Sequence, residues 1–266
     1  MSSLAVTFFN KVSSLIPSEF DLSIRQQAIL DSVKTPHAQD FLLAVPIEGL
    51  GQRVGDREFR AILCYRLMIP LFREGTMCPS CHVRTLDCWG DHALQCGHGI
   101  GFKFRHDLVR DILFDIMWRC GLTVQKEAKV GCLTLSDSPA LRPADILIRN
   151  WDGKDMCVDV TGCSPMVGLG QGVFVAGKGA ELAANKKRVK HEQNCIDNGF
   201  GFLPFAFDTF GCLDGLALDC MNRIGRILCR GDPCIKSPCF IFHRLGISIQ
   251  KGVGAQLVAR LPMNFV

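Results

Sequence analysis

The sequence predicts an α/β fold in which helices flank a mixed sheet, and two observations support this. From Arg105 onward the spacing of apolar residues changes between about 3.6 and about 2 residues, in the order helix, strand, strand, strand, helix, strand, helix. Alternation of this kind is typical of a sheet covered by helices. The chain has 266 residues, 48% of them hydrophobic and 21% charged, so it can bury one full core and a smaller second unit.

Charge and cysteine content limit the classes to which the protein can belong. A net charge of +4 is too small to predict nucleic-acid binding, which would have to come from local clusters of basic residues. The 15 cysteines are odd in number and irregularly spaced, and no secretory leader precedes them, so we expect a reducing compartment. No apolar run reaches about 18 residues, so we expect no membrane partner.

The first 101 residues divide into a helical N-terminal region, residues 1–76, and a small metal-binding unit, residues 77–101. In the second, the pair Cys78 and Cys81 is followed by His92 and Cys96. Three thiolates and one imidazole that converge from two short turns are typical of a closed, structural zinc site. The rival ligands are Cys88 and His98.

The next elements are a helix and a strand. Residues 105–119 predict a helix because apolar residues recur on one face of it, and Gly121 ends it. Residues 122–130 predict a strand that carries Glu127, with residues 132–135 as its continuation or its partner. Glu127 is either a third acidic metal ligand or an ordinary surface glutamate.

Two apolar runs on either side of Asp152-Gly153 predict a β-hairpin. A two-residue loop at Asp152-Gly153 would pair Asp145 with Val160 and place Asp145 and Asp159 on opposite faces. A three-residue loop that begins at Trp151 would instead pair Asp145 directly with Asp159, with their Cβ atoms about 5 Å apart. The hairpin sequence leaves both loops open.

The three-residue loop would make the hairpin a metal site. Two carboxylates held that close repel by roughly 3 kcal/mol at an effective dielectric of about 20. A hard divalent cation such as Mg²⁺ is the usual way to offset that repulsion. With the two-residue loop, one aspartate is exposed and the other caps a turn.

A basic helix follows a glycine-rich connection. The run that ends at Gly179 nearly spells a phosphate-binding loop, but this glycine replaces the Ser or Thr that would hold magnesium. Residues 180–195 predict a helix with a basic run that is typical of a solvated face and also fits a nuclear import signal. The basic run comprises Lys186, Lys187, Arg188, Lys190 and His191. The remaining segments predict a strand at residues 200–207, a helix at residues 213–228 and a mixed tail at Cys239–Val258.

Five of these features occur in an order that resembles a known family. From about Asp56 the chain resembles the C-terminal region of early-branching non-LTR retrotransposons that encode a restriction-like endonuclease. The resemblance is carried by the Cys78, Cys81, His92, Cys96 knuckle; by Arg105-His106; by Arg142-Pro143-Ala144-Asp145 and, thirteen residues later, Asp159-Val160-Thr161; by Lys187 to His191, where the family has Lys-x-x-Lys-Tyr; and by the segment from Pro204 to Gly211.

The resemblance implies a PD-(D/E)xK nuclease, with a restriction-endonuclease-like mixed sheet over residues 102–266. Such a nuclease nicks target DNA and leaves a 3′-hydroxyl that primes reverse transcription. Asp145 and Asp159 would hold Mg²⁺, and Lys187 or Lys190 would take the lysine role, because Thr161 stands where the usual lysine would be. The zinc knuckle would help to position DNA.

The resemblance also implies the partners. Nucleic-acid contacts would come from Arg105, Arg142, Lys186, Arg188 and His191. DNA is the expected partner, with element RNA as a second candidate, no small-molecule cofactor and a nuclear location.

The chain departs from the family in three ways, which keep two other functions open. Ala144 separates Pro143 from Asp145, His191 replaces a tyrosine, and no polymerase motif is present. The first alternative is therefore a catalytically inactive, nucleic-acid-binding zinc-knuckle remnant of a retroelement. The second is an enzyme that uses a Cys163 and His191 pair.

Overall fold

A computed structural model describes residues 3–128, 144–167, 169–170, 172–231 and 239–263. The helices are α1 (Ser3–Glu19), α2 (Ile24–Lys34), α3 (Asp56–Leu67), α4 (Asp91–Gln95), α5 (Phe102–Arg119), α6 (Lys178–Asp197), α7 (Gly215–Gly231) and α8 (Cys239–Val258), with short 3₁₀ helices at Asp40–Leu43 and Glu48–Leu50. The strands are β1 (Val124–Lys126), β2 (Ile146–Trp151), β3 (Lys154–Cys163) and β4 (Gly201–Asp208). Arg142, Pro143 and the strand expected at residues 132–135 lie outside the described residues. Within the described ranges, no helix has both the length and the apolar character needed to cross a membrane.

The four strands form one mixed sheet in the order β1-β2-β3-β4. The first two pairs are antiparallel, and β3 pairs with β4 in parallel. A parallel pair needs a crossover connection, which α6 supplies between β3 and β4. The α/β class with a mixed sheet flanked by helices, predicted from the sequence, is confirmed. The first strand is shorter than predicted and ends before Glu127, which has a positive φ of 46°.

The sheet is buried on both faces. One face of β2, β3 and β4 packs against α5, α7 and α8, and the other face packs against α6. The larger cluster includes Val109, Leu113, Ile146, Ile148, Val158, Val160, Phe205, Phe207, Met221 and Leu245. Because side chains alternate along β3, Val158 and Val160 point to the first face while Asp159, between them, points toward α6.

A second cluster joins the N-terminal helices, the cysteine-rich segment and the end of α8. Its members include Ala28, Ile29, Ile62, Tyr65, Leu86, Leu94, Phe210, Val253 and Leu257. Leu86 and Leu94 are 2% and 1% exposed, so the cysteine-rich segment contributes apolar side chains to this shared core although it has few of them. The segments expected at residues 1–76 and 77–101 are thus packed together against the last helix.

The expectation of a mixed tail at Cys239–Val258 is wrong, because these residues form the 20-residue helix α8. Glycine has low intrinsic helix propensity, and α8 contains Gly246, Gly252 and Gly254. A Cβ at Gly252 would lie 2.7 Å from Arg105 Cγ, and a Cβ at Gly254 would lie 3.0 Å from Glu58 Cβ. These two glycines allow α8 to pack closely against α5 and α3, so tertiary contacts outweigh the propensity.

Candidate active site and metal centre

The β2-β3 hairpin uses the two-residue loop, yet it brings Asp145 opposite Asp159. Asp152 and Gly153 both have positive φ, at 55° and 78°, as a tight two-residue hairpin turn requires. The register then shifts between Ile148 and Trp151, where Asn150 also has a positive φ of 53°. Beyond this bulge Ile146 pairs with Val158, which sets Asp145 opposite Asp159 one position further on. The consequence expected from a two-residue loop, opposite faces, is therefore wrong because the bulge adds one residue to β2.

Asp155 stabilises the bulge. Its Oδ1 accepts a hydrogen bond from the Asn150 backbone N–H at 3.0 Å, and its Oδ2 accepts one from Arg149 at 2.5 Å. The register that aligns the two acids thus depends on local contacts of residues in the hairpin itself.

The two aspartates have different surroundings. Asp145 Oδ2 accepts a hydrogen bond from the Val160 N–H at 2.7 Å and lies 3.0 Å from His106 Nε2. Asp159 is 6% exposed, and its Oδ1 accepts a hydrogen bond from Lys187 Nζ at 3.0 Å. The other oxygen, Oδ2, is buried and has no hydrogen-bond partner among the described residues. A buried carboxylate oxygen without a donor is a position that a cation fits.

These surroundings shift the two carboxyl pKa values in opposite directions. Burial raises the pKa of Asp159 to about 6, against the opposing charge of Lys187 and with an added rise from Asp145. Burial also acts to raise the pKa of Asp145, but the hydrogen bond and charge of His106 outweigh it and hold that pKa below its ordinary value. Two neighbouring acids with divergent pKa values are typical of functional sites.

Of the two candidate lysines on α6, Lys187 is the one that contacts the acids. Ala180, Ala184, His191 and Cys195 form the buried face of this helix, and Lys187 lies on the same face. Lys190 is exposed. His191 was expected to contact nucleic acid, but it is 6% exposed and its Nε2 lies 3.8 Å from Asp159 Oδ2, so it faces the acid pair instead.

His106 is a site residue to which the sequence assigned no individual role. It lies in the first turns of α5, and its Nδ1 is 3.1 Å from Asp107 Oδ1 while its Nε2 reaches Asp145. Burial acts to lower its pKa, but the two flanking carboxylates outweigh burial and raise it. The signal available in the sequence was the Arg105-His106 pair, which the fold splits: Arg105 points inward and His106 points to the acids.

A cleft of about 620 Å³ opens onto Asp145 and Lys187, and we call it the acid cleft; Asp159, which is 6% exposed, is not part of its lining. It is lined by side chains of both signs, among them Lys103, His106, Asp107, Arg110, Glu127, Asp145, Thr161 and Lys187. Glu127 is a surface glutamate at its rim, with its side chain 59% exposed and 2.6 Å from Arg110 Nη1. This exposure and the ion pair fit the alternative of an ordinary surface glutamate better than that of a third acidic ligand.

The remaining predicted contact residues are dispersed. Arg105 is 2% exposed and its Nη1 donates to Gln256 Oε1 at 2.5 Å, so the expectation that it contacts nucleic acid directly is wrong: its guanidinium is enclosed between α5 and α8. Lys186 and Arg188 are exposed on α6, as a phosphate contact requires. Arg142 lies outside the described residues.

The cysteine-rich segment forms a four-ligand group that could hold a metal such as zinc. The ligand atoms of Cys78, Cys81, His92 and Cys96 all lie within 4.8 Å of one another, and Cys81 Sγ is 3.4 Å from His92 Nε2. Hydrogen bonds from the backbone N–H groups of Val83 and Arg84 lower the pKa of Cys81 to about 7, which favours the thiolate that zinc binds. Among the described residues, this is the one set of three or more such ligands gathered so closely.

Neighbouring residues hold this group in place, and the rival ligands lie outside it. Asp87 accepts hydrogen bonds from the backbone N–H groups of Trp89, Asp91 and His92, which fixes the start of α4 and orients the ligand His92. Neither Cys88 nor His98 belongs to the group, and His98 is exposed. The predicted ligand set is the one that the fold brings together.

Cys163 and His191 do not form a catalytic pair. Cys163 follows the acid pair along β3, and burial raises the pKa of its thiol to about 12, the opposite of what an activated nucleophile needs. His191 faces Asp159 from α6.

No protein-family model matches the chain, and a search of curated proteins finds no match for it.

Proposed function

We propose that the chain is a metal-dependent DNA endonuclease of retroelement origin that nicks DNA by phosphodiester hydrolysis. The observation that carries the proposal is the convergence of Asp145 and Asp159 at one point, with Lys187 Nζ 3.0 Å from Asp159. Acids on neighbouring strands beside an ammonium group are the parts that metal-assisted phosphodiester cleavage uses. The order of motifs that resembles the restriction-like endonuclease of non-LTR retrotransposons supports the same function.

The site residues divide the chemistry between them. Asp145 and Asp159 would hold Mg²⁺, which when bound supplies the positive charge that activates water and stabilises the phosphate oxygens. Lys187 orients the attacking water or stabilises the developing negative charge. His106 fixes the orientation of Asp145 through the 3.0 Å contact at Oδ2. Lys103, which is exposed in the lining of the acid cleft, attracts the phosphates of the substrate.

The zinc knuckle has a structural role in this proposal. Its four ligands would close a tetrahedral zinc site with no open position, so the metal there does no chemistry. The knuckle contributes to the core shared with α3 and α8 and so helps to hold α5, which carries His106. DNA is the proposed partner, and the nucleus the proposed location.

Nicking of supercoiled plasmid DNA by the purified full chain tests the proposal. We expect Mg²⁺-dependent conversion to the open-circular form, with Asp145→Asn and Asp159→Asn each reducing the rate at least 100-fold, a loss of about 2.7 kcal/mol. Asp197→Asn is the matched control, because it makes the same change at an exposed position at the end of α6. Equal rates in wild type and both site variants would show that any nicking comes from a contaminant.

One observation favours a second function, an inactive nucleic-acid-binding remnant. The ion pair between Lys187 and Asp159 satisfies Asp159 Oδ1 without a metal, so the acid pair can persist in a protein that no longer cleaves. In that case DNA binding would be measurable, while Mg²⁺ would produce no nick in wild type.

A further inference from the structure

A second cleft adjoins the acid cleft, and we call it the loop cleft. It has a volume of about 690 Å³ and lies between the end of β3, the first two turns of α6 and the loop that precedes α6. The two clefts share Phe102 and Gly162 in their lining. The chain from Val160 to Ser164, at the end of β3 and just beyond it, therefore lines first one cleft and then the other.

The charged side chains that line the loop cleft are all cationic: Arg105, Lys178 and Lys186. Lys178 and Lys186 are exposed, and Lys178 Nζ also lies 2.9 Å from Glu181. Arg105 is buried beneath Gly162, and its Nε has no hydrogen-bond partner among the described residues. A buried guanidinium under the floor and lysines at the rim together favour an anionic ligand.

The rest of the lining includes several aromatic and aliphatic side chains that are exposed, beside Gln95, Ser164 and glycines. Phe102 is 51% exposed, Val173 95% and Leu182 49%, and Phe174 is partly buried. Contacts to phosphates do not need such side chains. The faces of unstacked bases, in contrast, stack on aromatic side chains and pack against apolar ones. In a duplex those faces are hidden in the stack, so the combination of cations with apolar and aromatic side chains fits an unpaired strand.

The dimensions agree with a short stretch of strand. Lys187 at the acid pair and Lys178 at the far end of the loop cleft are nine residues apart on α6. At about 1.5 Å per residue this spans about 13 Å, which is roughly four phosphates of a B-form strand at about 3.4 Å each, or fewer of an extended one.

We propose that the loop cleft binds an unpaired strand of DNA that continues from the phosphate held at the acid pair. This inference rests on the proposed function, because it takes the ligand to be the nuclease's own substrate. Its consequence is a substrate preference: DNA that is unpaired beside the scissile phosphate should be nicked faster than fully paired DNA of the same sequence.

Salt dependence of binding to a fluorescein-labelled oligothymidylate, measured by fluorescence anisotropy without added Mg²⁺, tests the site. Each lysine that contacts a phosphate should contribute about 0.7 to the slope of log affinity against log salt for a single strand, so Lys178→Ala with Lys186→Ala should reduce the slope by about 1.4. The matched control, Arg53→Ala with Arg119→Ala, removes two ion-paired cations away from both clefts and should leave the slope unchanged.

A second variant tests base stacking. Phe174→Leu retains an apolar side chain that can pack against the core but removes the aromatic face, and it should weaken single-strand binding about fivefold or more with little effect on duplex binding. Unchanged single-strand affinity in Phe174→Leu, together with an unchanged slope in the double lysine variant, would overturn the proposal.

Catalytic variants separate this inference from the proposed function. In an Asp145→Asn background, adding Lys178→Ala and Lys186→Ala should still reduce the slope by about 1.4, because Asp145 does not line the loop cleft. If neither wild type nor any variant nicks DNA, but the slope of log affinity against log salt changes as expected, the nuclease assignment fails while the single-strand site stands. If wild type nicks paired and unpaired DNA at equal rates and the lysine variant alters neither rate, the loop-cleft site is wrong and the nuclease stands.

Discussion

At the residue scale, the candidate site depends on how each charged side chain is paired. Asp145 Oδ2 has two donors, from Val160 and His106. Asp159 Oδ1 has one, from Lys187, while its Oδ2 has no hydrogen bond among the described residues and lies 3.8 Å from His191 Nε2. The less satisfied acid is also the more buried one, and its pKa is raised. A divalent cation between the two would stabilise both carboxylates, and this is the basis of the proposed metal site.

The two lysines of α6 provide the first prediction. Lys187→Ala should reduce the nicking rate about 100-fold or more, because it removes the ammonium group beside Asp159. Lys190→Ala should change the rate less than threefold, because Lys190 is exposed on α6. Single-turnover nicking at saturating Mg²⁺ measures both, and a larger loss in the Lys190 variant would reassign the lysine role.

The second prediction concerns His106 as a positioning residue. His106→Ala should weaken the apparent Mg²⁺ affinity of nicking by about 10- to 100-fold, because Asp145 loses the partner that orients it. Titrating Mg²⁺ at fixed DNA measures the shift, and high Mg²⁺ should restore much of the rate. A fall in maximum rate with no change in the Mg²⁺ midpoint would show that His106 acts on the substrate rather than through Asp145.

At the scale of elements, the hairpin bulge determines whether the acids meet. Deleting Asn150 should remove the bulge, and the two-residue loop would then place Asp145 and Asp159 on opposite faces and abolish nicking.

Substitutions at Asn150 test its positive φ. Asn150→Gly should keep both register and activity, because glycine adopts positive φ readily. Asn150→Val should lower the free energy of unfolding by about 1–2 kcal/mol, since a branched side chain is strained there. Circular dichroism and urea unfolding check that the variants fold, and full activity in the deletion variant would contradict the role of the bulge.

The sequence predicted the elements that a repeating pattern specifies, but it did not predict features that depend on one residue or one tertiary contact. The stripe of apolar residues on α5 predicted that helix closely, and the apolar runs on either side of Asp152-Gly153 predicted β2 and β3. The bulge at Asn150 was missed, because one residue with positive φ leaves no periodic signal and yet reverses which face Asp145 occupies. The helix α8 was missed because its glycines lower helix propensity, and the close packing against Arg105 that explains Gly252 is visible only in the fold.

The candidate site was predictable to a similar extent. Spacing alone identified the four knuckle ligands, because metal ligands in short turns follow fixed intervals. The sequence could not distinguish Lys187 from Lys190, since that depends on which face of α6 meets the sheet. Nor could it separate Arg105 from His106, adjacent residues that point in different directions from one turn of α5.

At the scale of the whole molecule, the cysteine-rich knuckle is connected to the element that supports the site. Two residues near the end of the chain donate to knuckle backbone carbonyls: Gln256 to Leu94, and Arg260 to His98 and Ile100. Gln256 also accepts the buried hydrogen bond from Arg105 on α5. On the opposite side, Arg25 of α2 pairs with Asp91 at the start of α4 at 2.5 Å. The knuckle is thus bonded to both the N-terminal and the C-terminal helices.

Removal of the knuckle metal should therefore destabilise the whole chain rather than a local turn. Binding of structural zinc contributes about 10–16 kcal/mol in small peptides, which is comparable to the total stability of a typical domain, about 5–15 kcal/mol. We expect one zinc per chain by atomic absorption, and its loss in His92→Ala should lower Tm by more than about 10 °C. The rival ligands supply the controls, because Cys88→Ser and His98→Ala should retain both the zinc and Tm. A zinc-free His92→Ala protein with wild-type Tm would mean that the apolar contacts of Leu86 and Leu94 hold the knuckle without metal, and the link from knuckle to active site would then be carried by packing alone.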